Sequence, residues 1–179
     1  MNDTSYHSVA KFFHWAIVTI IAIQFVSGWL MPSMRHSVHP NYYKIIHVSS
    51  GLLVLFLAIS LLFMRFYKQV AKPEMEKMKL IKNVATGVHY LLYGLLVIVP
   101  LSGWIAASIR GKGISFLGIF NVPLLTVNNP SFLYSFGRIH EDLATIIGIL
   151  ILGHLAVALY HHFVLKDPVL RRMLPNRKV

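Results

Sequence analysis

Four long apolar stretches, separated by short polar segments, dominate the chain. A bilayer core takes about 20 helical residues to cross. Four stretches meet that length: roughly Phe12 to Met31, closed by Pro32; Ile45 to Phe66; Val84 to Ile109; and Leu143 to Leu165, with a helical lead-in from Ser135. Pro100, inside the third, lacks an N–H and crowds the preceding turn, so it predicts a kink of a kind that membrane helices tolerate. Trp15, Trp29, Trp104, Tyr42, Tyr43, Tyr67 and Tyr160 fall near the ends of the stretches, where aromatic side chains sit at membrane interfaces. The first stretch is long enough to span and has no small-residue cleavage motif, so it is expected to be retained rather than removed as a signal peptide. Four spans with short inner connections and one long connection, from about Gly111 to Phe136, predict one domain over residues 1–179, an all-α integral membrane four-helix up-and-down bundle.

Charge orients this bundle. Lys and Arg number 17 against 6 Asp and Glu. One side collects Lys11, Arg65, Lys68, Lys72, Lys77, Lys79, Lys82, Lys166, Arg171, Arg172, Arg177 and Lys178. The other holds Arg35, Lys44, Arg110, Lys112 and Arg138. The positive-inside rule then places both termini in the cytoplasm, with the connection from about Gly111 to Phe136 outside as an ordered cap or short interfacial pieces. An excess of basic residues outside long apolar runs fits anionic lipid headgroups better than nucleic acid, for which basic and aromatic residues would interleave. The partner expected is the lipid bilayer, with no nucleic acid.

The chain has no cysteine. Disulfides, cysteine-ligated iron–sulfur clusters, thiolate haem ligation and covalent haem attachment are therefore excluded. Ten histidines remain, and His14, His47, His89, His140 and His154 fall within or at the edges of the spans. A polar side chain in a bilayer is costly and normally faces the bundle interior. His140 and His154 are fourteen residues apart on one span, nearly four whole turns, so they share a face at levels roughly 21 Å apart. His47 starts the second span at the level of His140, and the two can hold an outer haem. His14 and His89 both lie in the inner half with His154, and depth alone leaves either as its partner, His89 slightly nearer in level.

Two K-x-x-H units place Lys11 and Lys44 one turn from His14 and His47. These lysines, with Arg138, are candidate contacts for haem propionates, or they snorkel to the interface. Gly51, Ala144 and Ala158 each follow a candidate ligand by four residues, which suits either a flat macrocycle or close helix contact. His7, His36, His39, His161 and His162 read as solvated. No dinucleotide or nucleotide-phosphate motif is present, and no internal repeat is evident beyond the K-x-x-H echo. Two imidazoles per iron would leave no open position and suit one-electron transfer, with a membrane-soluble quinone as the two-electron partner. His89, when not a ligand, is a candidate to hydrogen-bond or exchange a proton with that quinone.

Several segments together resemble the prokaryotic cytochrome b561 family across nearly the whole chain. They are K-F-F-H-W at 11–15, I-I-H-V-S-S-G at 45–51, G-V-H-Y-L-L-Y at 87–93, V-P-L-S-G at 99–103, R-I-H-E at 138–141, H-L-A-V-A-L-Y-H-H-F at 154–163 and K-D-P-V-L-R-R-M-L-P at 166–175. The resemblance implies a protein of the bacterial inner membrane that holds two haem b groups and exchanges electrons with ubiquinone. It implies that His14 and His154 ligate the inner haem iron, that His47 and His140 ligate the outer, and that His89 ligates neither. The family includes superoxide oxidases, which take electrons from periplasmic superoxide, and Arg35, Lys44, Arg110, Lys112 and Arg138 would attract such an anion. The competing expectations are an electron-transfer anchor for a periplasmic dehydrogenase or hydrogenase and, from another class, a histidine-lined transporter.

Overall fold

The computed structural model of the chain describes residues 8–31, 42–67, 79–109, 114–125, 130–166 and 169–174. Among them the elements are α1 (Ser8–Leu30), α2 (Tyr42–Tyr67), α3 (Lys79–Ile109), β1 (Ile114–Phe116), β2 (Phe120–Val122), α4 (Pro130–Phe163) and α5 (Val169–Met173). Of the residues named above, His7, Pro32, Arg35, His36, His39, Lys68, Lys72, Lys77, Arg110, Lys112, Arg177 and Lys178 lie outside the described ones.

Helices α1 to α4 carry stretches long and apolar enough to cross a membrane: Val9–Leu30, Tyr42–Met64, Asn83–Ile109 and Phe136–Phe163. The fold is an all-α four-helix membrane bundle. Its outward face is apolar, with Phe56, Phe63, Ile149, Leu152 and Val157 all exposed, the reverse of a soluble surface and suited to lipid. Hydroxyls on the helices bond their own backbone, as Thr19 does to Trp15 O at 3.0 Å and Ser60 to Phe56 O at 2.8 Å, so few polar groups are offered to hydrocarbon.

Neighbours in sequence pack as neighbours in space: α1 on α2, α2 on α3 and α3 on α4. The core is apolar and lies mid-bundle, where Ile17, Val54, Ala58, Leu95, Leu96 and Ile147 are buried. Ala58 is fully buried. Ala58→Leu would force extra methylenes into that packing and is expected to cost about 1–3 kcal/mol, read as a lowered thermal unfolding midpoint of the purified protein in detergent.

The fourth helix begins earlier than the expected lead-in at Ser135, at Pro130. Proline is suited to a first turn, where its missing N–H has no intrahelical partner to lose. The long connection contains a β-hairpin, with Ile114 opposite Val122 and Phe116 opposite Phe120. Its turn holds Leu117 and Gly118 at positive φ, 52° and 75°, and is closed by Ile119 N–H donating to Phe116 O at 2.9 Å. A branched residue in the left-handed region costs about 1–2 kcal/mol. The Leu117 N–H donates to the Ser49 hydroxyl of α2 at 2.8 Å, which holds the turn on the bundle. Trp104 of α3 donates to Pro123 O at 3.0 Å, and Leu125 N–H to the Ser108 hydroxyl at 3.0 Å. The hairpin thus caps one end of α2 and α3. At the opposite end α5 packs on α4, and Trp15 of α1 donates to Met173 O at 2.8 Å.

Candidate functional site

At the hairpin end the structure brings His47 of α2 and His140 of α4 together, with ring centres 6.2 Å apart and planes at 88°. Their hydrogen bonds determine which nitrogen each presents. His47 Nδ1 lies 3.1 Å from Gln24 O, and His140 Nδ1 lies 3.1 Å from Val99 O. A carbonyl only accepts, so Nδ1 carries the proton in both rings and Nε2 keeps its lone pair. This is the arrangement in which a histidine meets a metal through one nitrogen while the other is anchored.

Beside the two rings lies an apolar cleft lined by Ile21, Phe25, Val54, Leu96, Pro100 and Ile151, among others. Its empty space is about 510 Å³ with the part open to the outside included. Ala144 lines it. Gly51 does so too, but its immediate neighbour is protein: a Cβ there would stand 2.7 Å from Gln24 Nε2. The Gln24 side chain crosses to α2, where its Oε1 accepts from Ser50 at 2.6 Å.

At the other level three histidines converge from three helices. His89 of α3 and His154 of α4 have ring centres 5.2 Å apart, with planes at 86°. His14 of α1 lies near both. His89 Nδ1 is 2.6 Å from Ala85 O, so it too presents Nε2. Lys11, one turn before His14, is only 7% exposed, while Lys44 and Arg138 are exposed. Glu141 and Asp142 are exposed beside His140. His161 and His162, expected to be solvated, are half-buried, and His162 Nδ1 is buried without a hydrogen-bond partner.

The donors fit a b-type haem. Two histidines from different helices, each with one ring nitrogen free, would hold a haem iron and suit it to one-electron transfer. His47 and His140 are such a pair, with ring centres 6.2 Å apart and an unprotonated Nε2 each.

Comparison with known proteins decides the family. The model of the prokaryotic cytochrome b561 family matches residues 5–176. The chain belongs to that family. Cytochrome b561 homolog 1 of Escherichia coli (strain K12) is 31% identical over 175 residues, covering 93% of this chain and 95% of the relative. Cytochrome b562 of Cereibacter sphaeroides is 32% identical, covering 92% and 91%. A protein of Yersinia pestis named probable superoxide oxidase CybB is 28% identical, covering 92% and 93%. A cytochrome b561 implies b-type haem and membrane electron transfer, and four spans in this family make a multi-pass protein of the bacterial inner membrane.

Residues to which sequence reasoning gave no role complete the site. Gln24 and Val99 supply the carbonyls that fix the two rings. Ser102 reaches His140 Nδ1 at 3.2 Å, and Gly28 and Gly103 lie against the two imidazoles. The carbonyls leave no sequence signal, since any residue carries one. The serines and glycines do, in the segments Q-F-V-S-G at 24–28 and V-P-L-S-G at 99–103.

Proposed function

We propose that this chain is a dihaem superoxide:ubiquinone oxidoreductase, collecting electrons at its hairpin end and delivering them to quinone in the membrane. The observation that carries the reading is the pairing of His47 with His140 at one level and the gathering of His14, His89 and His154 at another. Haem bound at each level supplies reversible one-electron transfer. His47 and His140 would hold the first. His14 and His154 would hold the second, with His89 as their neighbour. The 5.2 Å between the His89 and His154 ring centres is shorter than the 6.2 Å between those of His47 and His140, which supports that allocation.

The remaining side chains have defined work. Lys11, Lys44 and Arg138 offer cations to haem propionates. The excess of basic residues at the end opposite the hairpin supports placing that end in the cytoplasm. The hairpin end then faces the periplasm, where Lys44 and Arg138 draw in a small anion. His89 has its Nδ1 proton committed to Ala85 O, so Nε2 is the atom at which it takes up or releases a proton next to a quinone. The net reaction consumes two superoxide anions, one quinone and two protons, and yields two dioxygen and one quinol. The relative named probable superoxide oxidase supports the choice of donor.

The test uses purified protein with a superoxide source and a short-chain ubiquinone. Superoxide alone is expected to reduce the haem absorbance band, and added quinone to reoxidise it. The rate is expected to fall as ionic strength rises, because an anion attracted by surface cations is screened over ~10 Å at 0.1 M salt. Absence of reduction by superoxide, together with a copurifying periplasmic dehydrogenase or hydrogenase, would favour the anchor-subunit reading instead.

A further inference from the structure

The level of His47 and His140 is built twice, by one device on two helices. In α1, Gln24 O accepts from His47 Nδ1 at 3.1 Å, and the Ser27 hydroxyl donates to the same oxygen at 3.2 Å. One residue on, a Cβ at Gly28 would lie 3.0 Å from His47 Cε1 and 3.1 Å from Nδ1. In α3, Val99 O accepts from His140 Nδ1 at 3.1 Å, and the Ser102 hydroxyl donates to it at 2.7 Å. A Cβ at Gly103 would lie 2.9 Å from His140 Cε1 and 3.1 Å from Nδ1. Carbonyl, serine three residues later and glycine four residues later recur in the same order, each against the histidine of the following helix.

The recurrence extends along both helices. His14 precedes Gly28, and His89 precedes Gly103, by the same fourteen residues. Fourteen residues are nearly four whole turns, so each helix presents its histidine and its glycine on one face. Helices α1 and α3 are therefore copies of one pattern, H-x9-(carbonyl)-x2-S-G.

The chemistry of the cradle follows from its partners. A histidine whose Nδ1–H bonds strongly to a carbonyl has a more electron-rich Nε2 and favours the oxidised metal. The Ser27 hydroxyl, donating to the same carbonyl, competes for its electron density and weakens that bond, whereas the Ser102 oxygen also lies 3.2 Å from His140 Nδ1 and shares that N–H with the Val99 carbonyl. The glycine lets the ring lie against the helix backbone, where its plane is set by contact. Ser27 and Ser102 are both buried, so water does not stand in for either.

We infer that the two carbonyl–serine–glycine cradles, Gln24/Ser27/Gly28 and Val99/Ser102/Gly103, position the imidazoles of His47 and His140 and set the reduction potential of the haem they hold. These are positioning residues, acting through the two histidines. The inference rests on the dihaem reading above and assigns the tuning of one haem to two serines.

The experiment uses the full-length haem-loaded protein with Ser27→Ala, Ser27→Thr and Gly103→Ala. The readouts are the haem-to-protein ratio, a redox titration followed by absorbance, and the low-temperature electron paramagnetic resonance of the ferric low-spin haems. Ser27→Ala is expected to keep both haems, to lower the midpoint of one alone and to shift that haem's resonance. Ser27→Thr, which restores the hydroxyl, is expected to return both to the wild-type values. Gly103→Ala pushes on the His140 ring and is expected to broaden or abolish the same resonance while the other stays. Wild-type midpoints and resonances in Ser27→Ala, or equal shifts in both haems, would overturn the inference. His47→Ala separates this from the reading beneath it. When His47→Ala removes a haem that Ser27→Ala leaves unaltered, the cradle fails alone. When His47→Ala removes no haem, the assignment of the ligands fails first.

Discussion

Replacing His47 or His140 with alanine is expected to halve the haem content, from about two per chain to about one. Both substitutions act on one level, so both should remove the same absorbance component and leave the other. The effect is large because, among the described residues lining the cleft, none is placed to replace the lost nitrogen. The cleft beside the rings is lined by aliphatic and aromatic side chains, and Gln24, its polar exception, is already engaged with Ser50. The remaining imidazole would still be held by its carbonyl, yet one axial bond in place of two leaves the group far less tightly held. The check is a pyridine haemochrome assay against protein concentration, with reduced-minus-oxidised spectra of each variant. Retention of both haems in His47→Ala and in His140→Ala would falsify the pairing at this level.

At the opposite level His154→Ala is expected to remove the second haem, and the informative comparison is His14→Ala against His89→Ala. His14→Ala is expected to remove the same haem as His154→Ala. His89→Ala is expected to keep both and to slow quinone-dependent reoxidation by about 10²-fold or more, the scale of a lost acid–base group. The ground for separating them is geometric: the His89 ring centre is 5.2 Å from that of His154, closer than the 6.2 Å between His47 and His140. The opposite result, haem lost in His89→Ala and kept in His14→Ala, would exchange the two roles. Both losing the haem would show that His89 orients a ligand.

Much of the bundle was legible because lipid imposes one rule on every span. Each crossing must be helical and apolar over about 20 residues, so the four stretches, Pro100 within the third and the aromatic ends could be read directly. The histidine levels were legible for a related reason: a helix rises by a fixed ~1.5 Å per residue, and His140 and His154 therefore measure depth. The hairpin was not legible. Its strands have three residues each, too short for a periodic signal, and its turn puts Leu117 where Gly or Asn is usual. It forms where Ser49, Trp104 and Ser108 supply partners for its backbone. The early start of α4 at Pro130 escaped for the same kind of reason, since its first residues lie outside the apolar stretch.

The internal repeat shows the boundary most clearly. The serine–glycine pairs at 27–28 and 102–103 stand in the sequence, yet no repeat beyond the K-x-x-H echo was evident from it. The surrounding residues differ, and two small residues at a helix end serve many purposes. Contact with His47 and His140 reveals them as equivalent.

The sequence by itself determined the number of crossings, the levels of the histidines and the absence of any thiolate ligand, because composition and helical rise depend on no other part of the chain. Only the tertiary structure decided which nitrogen each imidazole presents and what lies behind each ring. Those depend on carbonyls and side chains of neighbouring helices, and a backbone carbonyl has no letter in the sequence.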